Sequence, residues 1–277
     1  MKEFRDRVAV ITGAGSGIGR ALALRLARRG AHLAISDVDE DGLAETAKQV
    51  AGHGRVTTHR LDVADREAVY AHVDEVEREH GGAHLVVNNA GVALVASARR
   101  STIEEMEWLM GINFWGVVYG TKAFLPLLEK QSEGHIVNIS SIFGIVAYPM
   151  SSAYNASKFA VRGFTEALRI ELELDESTVS CTSVHPGGIK TNIAARARHG
   201  ENDRTPDRDK LASVFEKAAR TTPDQCAATI LGAVEKNLPR VLVGPDAFVL
   251  EKIQRTVPTG YQKALVKMAK GRWKSFS

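Results

Sequence analysis

Tyr154 and Lys158 stand four residues apart in the stretch Tyr154-Asn155-Ala156-Ser157-Lys158. On a helix, that spacing sets both side chains on one face. The chemistry on offer is proton transfer. A free tyrosine titrates near ~10, and bringing it to neutrality takes roughly 4 kcal/mol. A helix N-terminus supplies only ~0.3–1 kcal/mol of that. An ammonium about 4 Å away supplies up to roughly 4 kcal/mol at an effective dielectric of ~20. The lysine is therefore the group able to make Tyr154 a usable acid/base near neutral pH. Taken alone, the same pair is also what the solvated face of an amphipathic helix displays, so the rest of the chain must decide.

The local sequence positions the pair. A turn at Tyr148-Pro149-Met150 and two candidate N-cap serines, Ser151 and Ser152, come first. Ala153, Ala156, Ala160, Gly163, Phe164, Ala167 and Leu168 then recur at helical spacing. A helix is expected from Ser152 to about Leu174, with Tyr154 and Lys158 in its first turns.

Upstream, strand and helix signals alternate. Strands are expected at 7–12, 31–37, 55–61, 83–88 and 135–140, and downstream at 179–184 and 240–243. Helices are expected at 39–51, 65–80, 103–111 and 112–130. Between the first strand and its helix lies Thr12-Gly13-Ala14-Gly15-Ser16-Gly17-Ile18-Gly19. A glycine turn there brings backbone N–H groups and a helix N-terminus up to a pyrophosphate. Asp37 follows Gly19 by eighteen residues, at the end of the second strand. That context reads as a dinucleotide site rather than a tight packing turn. A carboxylate at Asp37 accepts from both ribose hydroxyls of NAD and repels the 2′-phosphate of NADP, so NAD is expected over NADP. Arg20 is the nearby cation, and a solvent-facing role for it stays open. Asp62-Val63 ends the third strand, and Asn88-Asn89-Ala90-Gly91 ends the fourth. Asp62 suits either the adenine amino group or a turn cap. Asn113 lies between Ile112 and Phe114, and a buried Asn needs partners.

At 277 residues with 44% apolar content, the chain has room for one large domain or two small ones. A net charge of +3 carries no nucleic-acid signal. Cys181 and Cys226 have no CxxC spacing and no His cluster nearby, so no metal site is expected, and reduced thiols in a cytoplasmic setting are. The apolar run Val8–Thr12 is too short for a signal peptide, and nothing approaches the ~20 apolar residues of a membrane span.

These motifs together resemble the short-chain dehydrogenase/reductase family in its compact single-domain form. The match runs in order through Thr12–Gly19, Asp62-Val63, Asn88–Gly91, Asn113, Asn138-Ile139-Ser140-Ser141, Tyr154–Lys158 and Pro186-Gly187 with Thr191, spanning roughly residues 5–245. The resemblance implies an α/β fold, a doubly wound and mostly parallel sheet of seven strands with helices on both faces. It also implies catalytic roles. Ser141, thirteen residues before Tyr154, looks like the catalytic serine, with Ser140 its structural neighbour. Ser141 would hydrogen-bond the substrate oxygen, Tyr154 would exchange the proton, and Lys158 would lower the tyrosine pKa and hold the nicotinamide ribose. Asn113 would hold a water linking Lys158 to solvent. The cofactor residues implied are Gly13, Ser16, Gly17, Ile18, Gly19, Asp37, Asp62, Val63, Asn89, Ala90, Gly91, Tyr154 and Lys158, with Pro186, Gly187, Ile189 and Thr191 toward the nicotinamide.

Substrate groups are expected beyond the ends of strands four, five and six. The candidates are Val92, Ala93, Leu94, Val95, Phe143, Ile145, Val146, Tyr148, Met150, Ile189, Ile193 and Ala194. Almost none is charged, which argues for an apolar alcohol or ketone. Residues 1–250 are expected to form one domain, with a lid at about 191–222. Residues 251–277 hold seven Lys/Arg and one Glu and form a basic amphipathic extension, with Tyr261, Leu265, Met268 and Arg272 on one face. Such an end can meet an anionic membrane surface, pack on another subunit or stay solvated. The family commonly forms tetramers through the helices holding Asn113 and Tyr154, so a homotetramer or homodimer is expected. Two other functions compete: an idle NAD(H)-binding regulator, and an epimerase or dehydratase on the same fold.

Overall fold

The structure is a computed structural model that describes residues 1–201 and 219–273, with backbone only at 268, 269 and 271–273. Its main sheet has seven strands: β1 (Val8–Thr12), β2 (His32–Asp37), β3 (Val56–Arg60), β4 (Leu85–Asn88), β6 (Gly134–Ile139), β7 (Val179–Pro186) and β9 (Arg240–Val243). Their order is β3-β2-β1-β4-β6-β7-β9, and every pairing is parallel. The chain winds outward in both directions from β1 and β4, so the order reverses between these two strands. In open α/β sheets, ligands bind at that crevice. The turn after β1 and the segment after β4 are the two glycine-bearing stretches singled out above.

Strand sequence explains the two-layer cover. Ala9, Ile11, Leu33, Ile35, Leu85 and Val87 face Leu22 and Leu26 of α1 (Gly17–Arg28) and Ile230 and Leu231 of α7 (Pro223–Glu235). The alternate residues Val8, Val10, Ala34, Val86 and Ile136 face Phe124 and Leu128 of α5 (Gly116–Glu129) and Leu168 and Leu172 of α6 (Ser152–Leu174). Both faces are covered, so strands read as continuous apolar runs rather than alternating ones. The remaining helices are α2 (Glu40–Val50), α3 (Arg66–His80), α4 (Ile103–Met110), α8 (Pro245–Thr256) and α9 (Gly260–Trp273).

Four features depart from the expected layout. First, the helices at 103–130 are one continuous rod, interrupted by a π-helical turn at Gly111–Trp115 that contains Asn113. Second, β5 (Leu94–Val95) and β8 (Arg198–His199) form a small parallel sheet. It ties the start of the expected lid to the segment after β4, and the bulk of that lid lies outside the described residues. Third, α7 had no counterpart in the expected layout. Fourth, α8 runs through residue 250, so the boundary expected there falls inside a helix. Beyond it, the Tyr261 hydroxyl accepts from the Ala147 N–H at 3.1 Å, and its ring packs against the cluster of Ile142, Ile145 and Val146. The extension thus begins docked on the loop that follows Ser141.

A buried polar chain crosses the sheet's interior. Asn88 Nδ2 donates to Asn138 Oδ1 at 2.8 Å and to Thr121 Oγ1 at 3.1 Å, and Asn138 Nδ2 donates to Thr165 Oγ1 at 3.0 Å. These bonds link β4, β6, α5 and α6. Asn88→Ala strips a donor from buried Asn138 and is expected to destabilise the fold by about 1–3 kcal/mol, measured by urea unfolding.

Candidate active site

The glycine turn after β1 is built by close approach. A Cβ on Gly19 would lie 2.2 Å from the Gly13 carbonyl oxygen, and one on Gly13 would lie 2.8 Å from Ala90 Cα. Gly17 adopts φ +55, where glycine is favoured. The end of β4 holds this turn in place. Asn89 Nδ2 donates to the carbonyls of Thr12 (2.9 Å) and Gly13 (3.1 Å), while Thr12 Oγ1 accepts from the N–H groups of Asn89 and Ala90. The α1 N-terminus beneath it is open. Its N-cap, Ser16, makes no side-chain capping bond, and its first turn has no acidic residue. By contrast α2, α3, α4 and α7 are each capped by a side chain, from Asp39, Asp65, Thr102 and Thr222. An uncapped helix start with bare N–H groups suits an anion.

Asp37 closes one end of this cradle. Its carboxylate accepts from Gly15 N at 2.8 Å and Asp39 N at 3.0 Å, which leaves lone pairs for further donors. Arg20 is not solvent-facing. Its guanidinium donates to Thr46 Oγ1 and to the carbonyls of Gly15 and Gly42, so it braces the turn from within. Thr191 closes the other end, its Cγ2 3.2 Å from where a Gly17 Cβ would sit. Gly187 and Gly188 are set by Asp246, which accepts from Gly188 N at 2.6 Å. Three expected cofactor residues are largely occupied by packing: Val63 lies against Gly116, and Ile18 and Ile189 join the core. Asp62 is exposed and accepts from Ala64 N at 3.0 Å as a turn cap. Ala90 packs beside Leu61 and Val63. Pro186 ends β7, paired with Val243.

The candidate acid/base group assembles where β6 and α6 meet. The Ser141 hydroxyl is near enough to the Tyr154 hydroxyl to lower its pKa. Ser141 Oγ also accepts from Phe143 N at 3.1 Å, so its own proton is directed away from the backbone. Ser140 has the other job: its hydroxyl donates to the Lys158 carbonyl at 2.8 Å and pins β6 to α6. Lys158 is buried, its Nζ donating to Ile139 O at 3.0 Å and lying 5.7 Å from the Tyr154 ring centroid. Asn113, fully buried, accepts from Val92 N at 2.8 Å and donates to Val92 O and to Ser157 Oγ. Gly91 lets these groups crowd together, since a Cβ there would stand 3.3 Å from Asn113 Oδ1 and 3.6 Å from Lys158 Nζ.

The electrostatics differ from the simple tyrosine–lysine argument. Burial pushes the Tyr154 phenol above its usual value, opposed by the bond from Ser141. Burial pulls the Lys158 amine down to about 8. Both shifts favour the neutral forms of the pair. The lysine amine is engaged by Ile139 O as well as facing the tyrosine ring.

Comparison with known proteins agrees with this geometry. The family model for short chain dehydrogenases matches residues 7–202. The chain belongs to the short-chain dehydrogenase/reductase family. It is 49% identical over 265 residues to "Putative oxidoreductase SadH" of Mycobacterium tuberculosis, covering 95% of each chain. A short-chain dehydrogenase/reductase from Burkholderia phymatum, solved in complex with NAD, superposes with a TM-score of 0.85 at 32% identity, covering 92% of this chain and 95% of that one. An alcohol dehydrogenase from the archaeon Thermococcus sibiricus, solved with 5-hydroxy-NADP, superposes at 0.73 with 26% identity, covering 86% and 95%. The protein is thus an oxidoreductase of short-chain dehydrogenase type.

Several residues shape this site in ways their positions in the sequence did not reveal. Thr12 receives the two N–H groups after β4. Ser157 bonds Asn113 and the Tyr154 carbonyl. Phe143 stands edge-on to Tyr154 (6.3 Å) and stacks on Tyr148 (5.4 Å), forming an aromatic wall. Of the expected substrate residues, Leu94, Ile145, Val146 and Ile189 are buried core instead. His185 sits immediately before Pro186-Gly187, fully buried, with Nδ1 3.0 Å from Ser141 O and Nε2 3.0 Å from Ser183 Oγ.

Burial pulls His185 and His72 down to about 4 and His135 to about 3. The unfolded imidazoles bind protons near 6.5, so the unfolded chain takes up more protons below that pH. Stability is expected to fall as pH drops from about 6.5 toward 5. Each fully differing proton adds about 1.4 kcal/mol per pH unit. His185→Gln should lessen that slope by up to one proton, read from urea unfolding at successive pH values.

Proposed function

We propose that the protein is an NAD-preferring dehydrogenase/reductase that interconverts an apolar secondary alcohol and its ketone, with Tyr154 as the acid/base. The observation that carries this reading is the convergence of Tyr154, Ser141 and Lys158: the Ser141 hydroxyl lowers the Tyr154 pKa, and the Lys158 amine lies 5.7 Å from the same ring's centroid. In oxidation, Ser141 donates to the substrate oxygen and Tyr154, as phenolate, takes the hydroxyl proton. Lys158 offers its charge to that phenolate and its remaining N–H groups to a ribose. A bound nicotinamide supplies the hydride acceptor, or the donor in reduction. Asn113 keeps one Oδ1 lone pair for a water on the way to solvent, since its amide hydrogens are taken by Val92 and Ser157.

The cradle described above fits a dinucleotide: an uncapped α1 start, a glycine turn without side chains, and Asp37 at the end of β2. Preference for NAD is supported by the fixed Asp37 carboxylate and by the commitment of both nearby arginines. Arg20 braces the backbone, and Arg196 pairs with Asp39 at 3.1 Å. The apolar substrate class is supported by Phe143, Tyr148 and the partly exposed Val92, Val95 and Ile193. Self-association is supported by α6, where Ala156, Phe159, Gly163, Ala167, Ile170 and Leu174 form one exposed stripe at helical spacing. A homodimer or homotetramer through that face buries it. Weak contact of the tail with an anionic surface is supported by exposed Val257 and Val266 beside Lys263, Lys267 and Lys270.

NADH formation from NAD is expected with apolar secondary alcohols. Tyr154→Phe should lower turnover by about 10²–10⁴-fold while sparing NADH binding. Retained turnover in that variant would refute the assignment, and tighter binding of NADPH than NADH would refute the cofactor preference. Phe159→Arg should shift the mass measured by light scattering toward the monomer.

A further inference from the structure

We propose that His59, His72 and Glu75 form a binding site for one borderline divalent cation, such as Zn²⁺ or Co²⁺, between edge strand β3 and helix α3. The three ligand atoms lie within 4.8 Å of one another. Glu75 Oε2 is 3.0 Å from His59 Nδ1 and 3.5 Å from His72 Nδ1. Two imidazoles and a carboxylate converging on one point are the donor set of a three-ligand zinc site, in which water takes the fourth place.

The surroundings argue for a missing cation rather than a finished hydrogen-bond network. His59 is placed between acceptors on both sides. Its Nδ1 faces Glu75, and its Nε2 lies 3.3 Å from Glu79 Oε2 and 3.0 Å from Thr57 Oγ1. One carboxylate oxygen, Glu75 Oε2, is asked to receive both histidine Nδ1 atoms. Three buried polar atoms here make no hydrogen bond: His72 Nε2, Glu79 Oε2 and His80 Nδ1. His72 is only 2% exposed, and its single polar contact is the long one to Glu75. None of the three unbonded atoms is a ligand atom; what calls for a positive charge at the centre is the single Glu75 oxygen facing two imidazole Nδ1 atoms. A metal at that point relieves the shared oxygen and uses both Nδ1 lone pairs.

The second layer is already in place. With His59 Nδ1 on a metal, its Nε2–H points to Thr57 Oγ1 at 3.0 Å, an orienting partner of the kind a ligating histidine uses. Burial, then the nearby His59, holds His72 neutral at pH 7, its pKa about 4, and neutral imidazole is the form that ligates. The Glu75 side chain is 43% exposed, which gives solvent and ion a way in. The ligands come from β3 and from His72-x-x-Glu75 on α3, so bound metal would staple the sheet's edge strand to its covering helix. The rival occupant is a proton in place of the metal.

The test uses the untagged full-length protein, stripped with chelator and titrated with Co²⁺ and Zn²⁺. Expected are one Co²⁺ per chain with visible absorption of a low-coordinate site, displacement by Zn²⁺, and a rise in Tm on Zn²⁺ addition. Glu75→Gln and His59→Asn should each weaken binding by more than about ten-fold and abolish the Tm rise, while circular dichroism and NADH binding stay unchanged. Both positions are partly exposed, so folding is not at risk as it is with His72→Ala. No saturable binding would establish the proton as occupant and overturn the proposal. Binding that survives both variants would place the metal elsewhere and overturn it equally.

Discussion

All seven strands of the main sheet run the same way, so their C-terminal ends share one edge. Every group that does chemistry here is hung from that edge. The glycine turn leaves β1, Asp37 ends β2, Asn89 and Gly91 leave β4, Ser141 follows β6, and His185 lies at the end of β7. Their mutual distances are set by the register of backbone ladders between buried strands. The bonds from Asn89 to Thr12 and Gly13 illustrate the economy of this arrangement. One side chain at the end of β4 holds the turn at the end of β1, across the crevice where the strand order reverses.

Burial is the second constraint on the site. Lys158 lies in the interior with one carbonyl, Ile139 O, answering its amine. Tyr154 is held beside it, with the Ser141 hydroxyl near its own and Phe143 edge-on to its ring. An interior of this kind resists charge, and both groups shift toward neutrality. The pocket is thus tuned to gain from any ligand that brings charge and donors of its own. Binding and activation are coupled through that deficit, and the same deficit explains why the site must be rigid. Asn113, in the π-helical turn, fixes the backbone at Val92 and the hydroxyl of Ser157, both within reach of the lysine.

The parts of this architecture legible in sequence were those encoded locally. The alternation of strand and helix signals placed all seven strands, most plainly β1, β2 and β4, where cover on both faces demands apolar sequence. The glycine turn and the Tyr154–Lys158 spacing were legible because each lies within one turn or one helix. Ser141 was separable from Ser140 only by resemblance; in the structure the Ser140 hydroxyl is spent on the Lys158 carbonyl, while that of Ser141 faces Tyr154. What escaped notice depends on distant partners. The β5–β8 pairing joins segments a hundred residues apart and only two residues long. His185 matters through the Ser141 carbonyl, in the segment after β6. His59 and His72 have no motif spacing, since β3 and α3 bring them together across a turn. The role of Arg20 stayed open because its helix position says nothing about the carbonyls of Gly15 and Gly42 beneath it.

The bond from Ala147 to Tyr261 spans 114 residues of chain. The loop between Ser141 and α6 therefore takes one of its fixed partners from a helix that lies beyond every strand of the main sheet. Loosening that helix would leave the strand ladders and the glycine turn as they are. It would slacken only the segment that carries Phe143 and Tyr148. The aromatic wall and the glycine turn thus rest on separate supports.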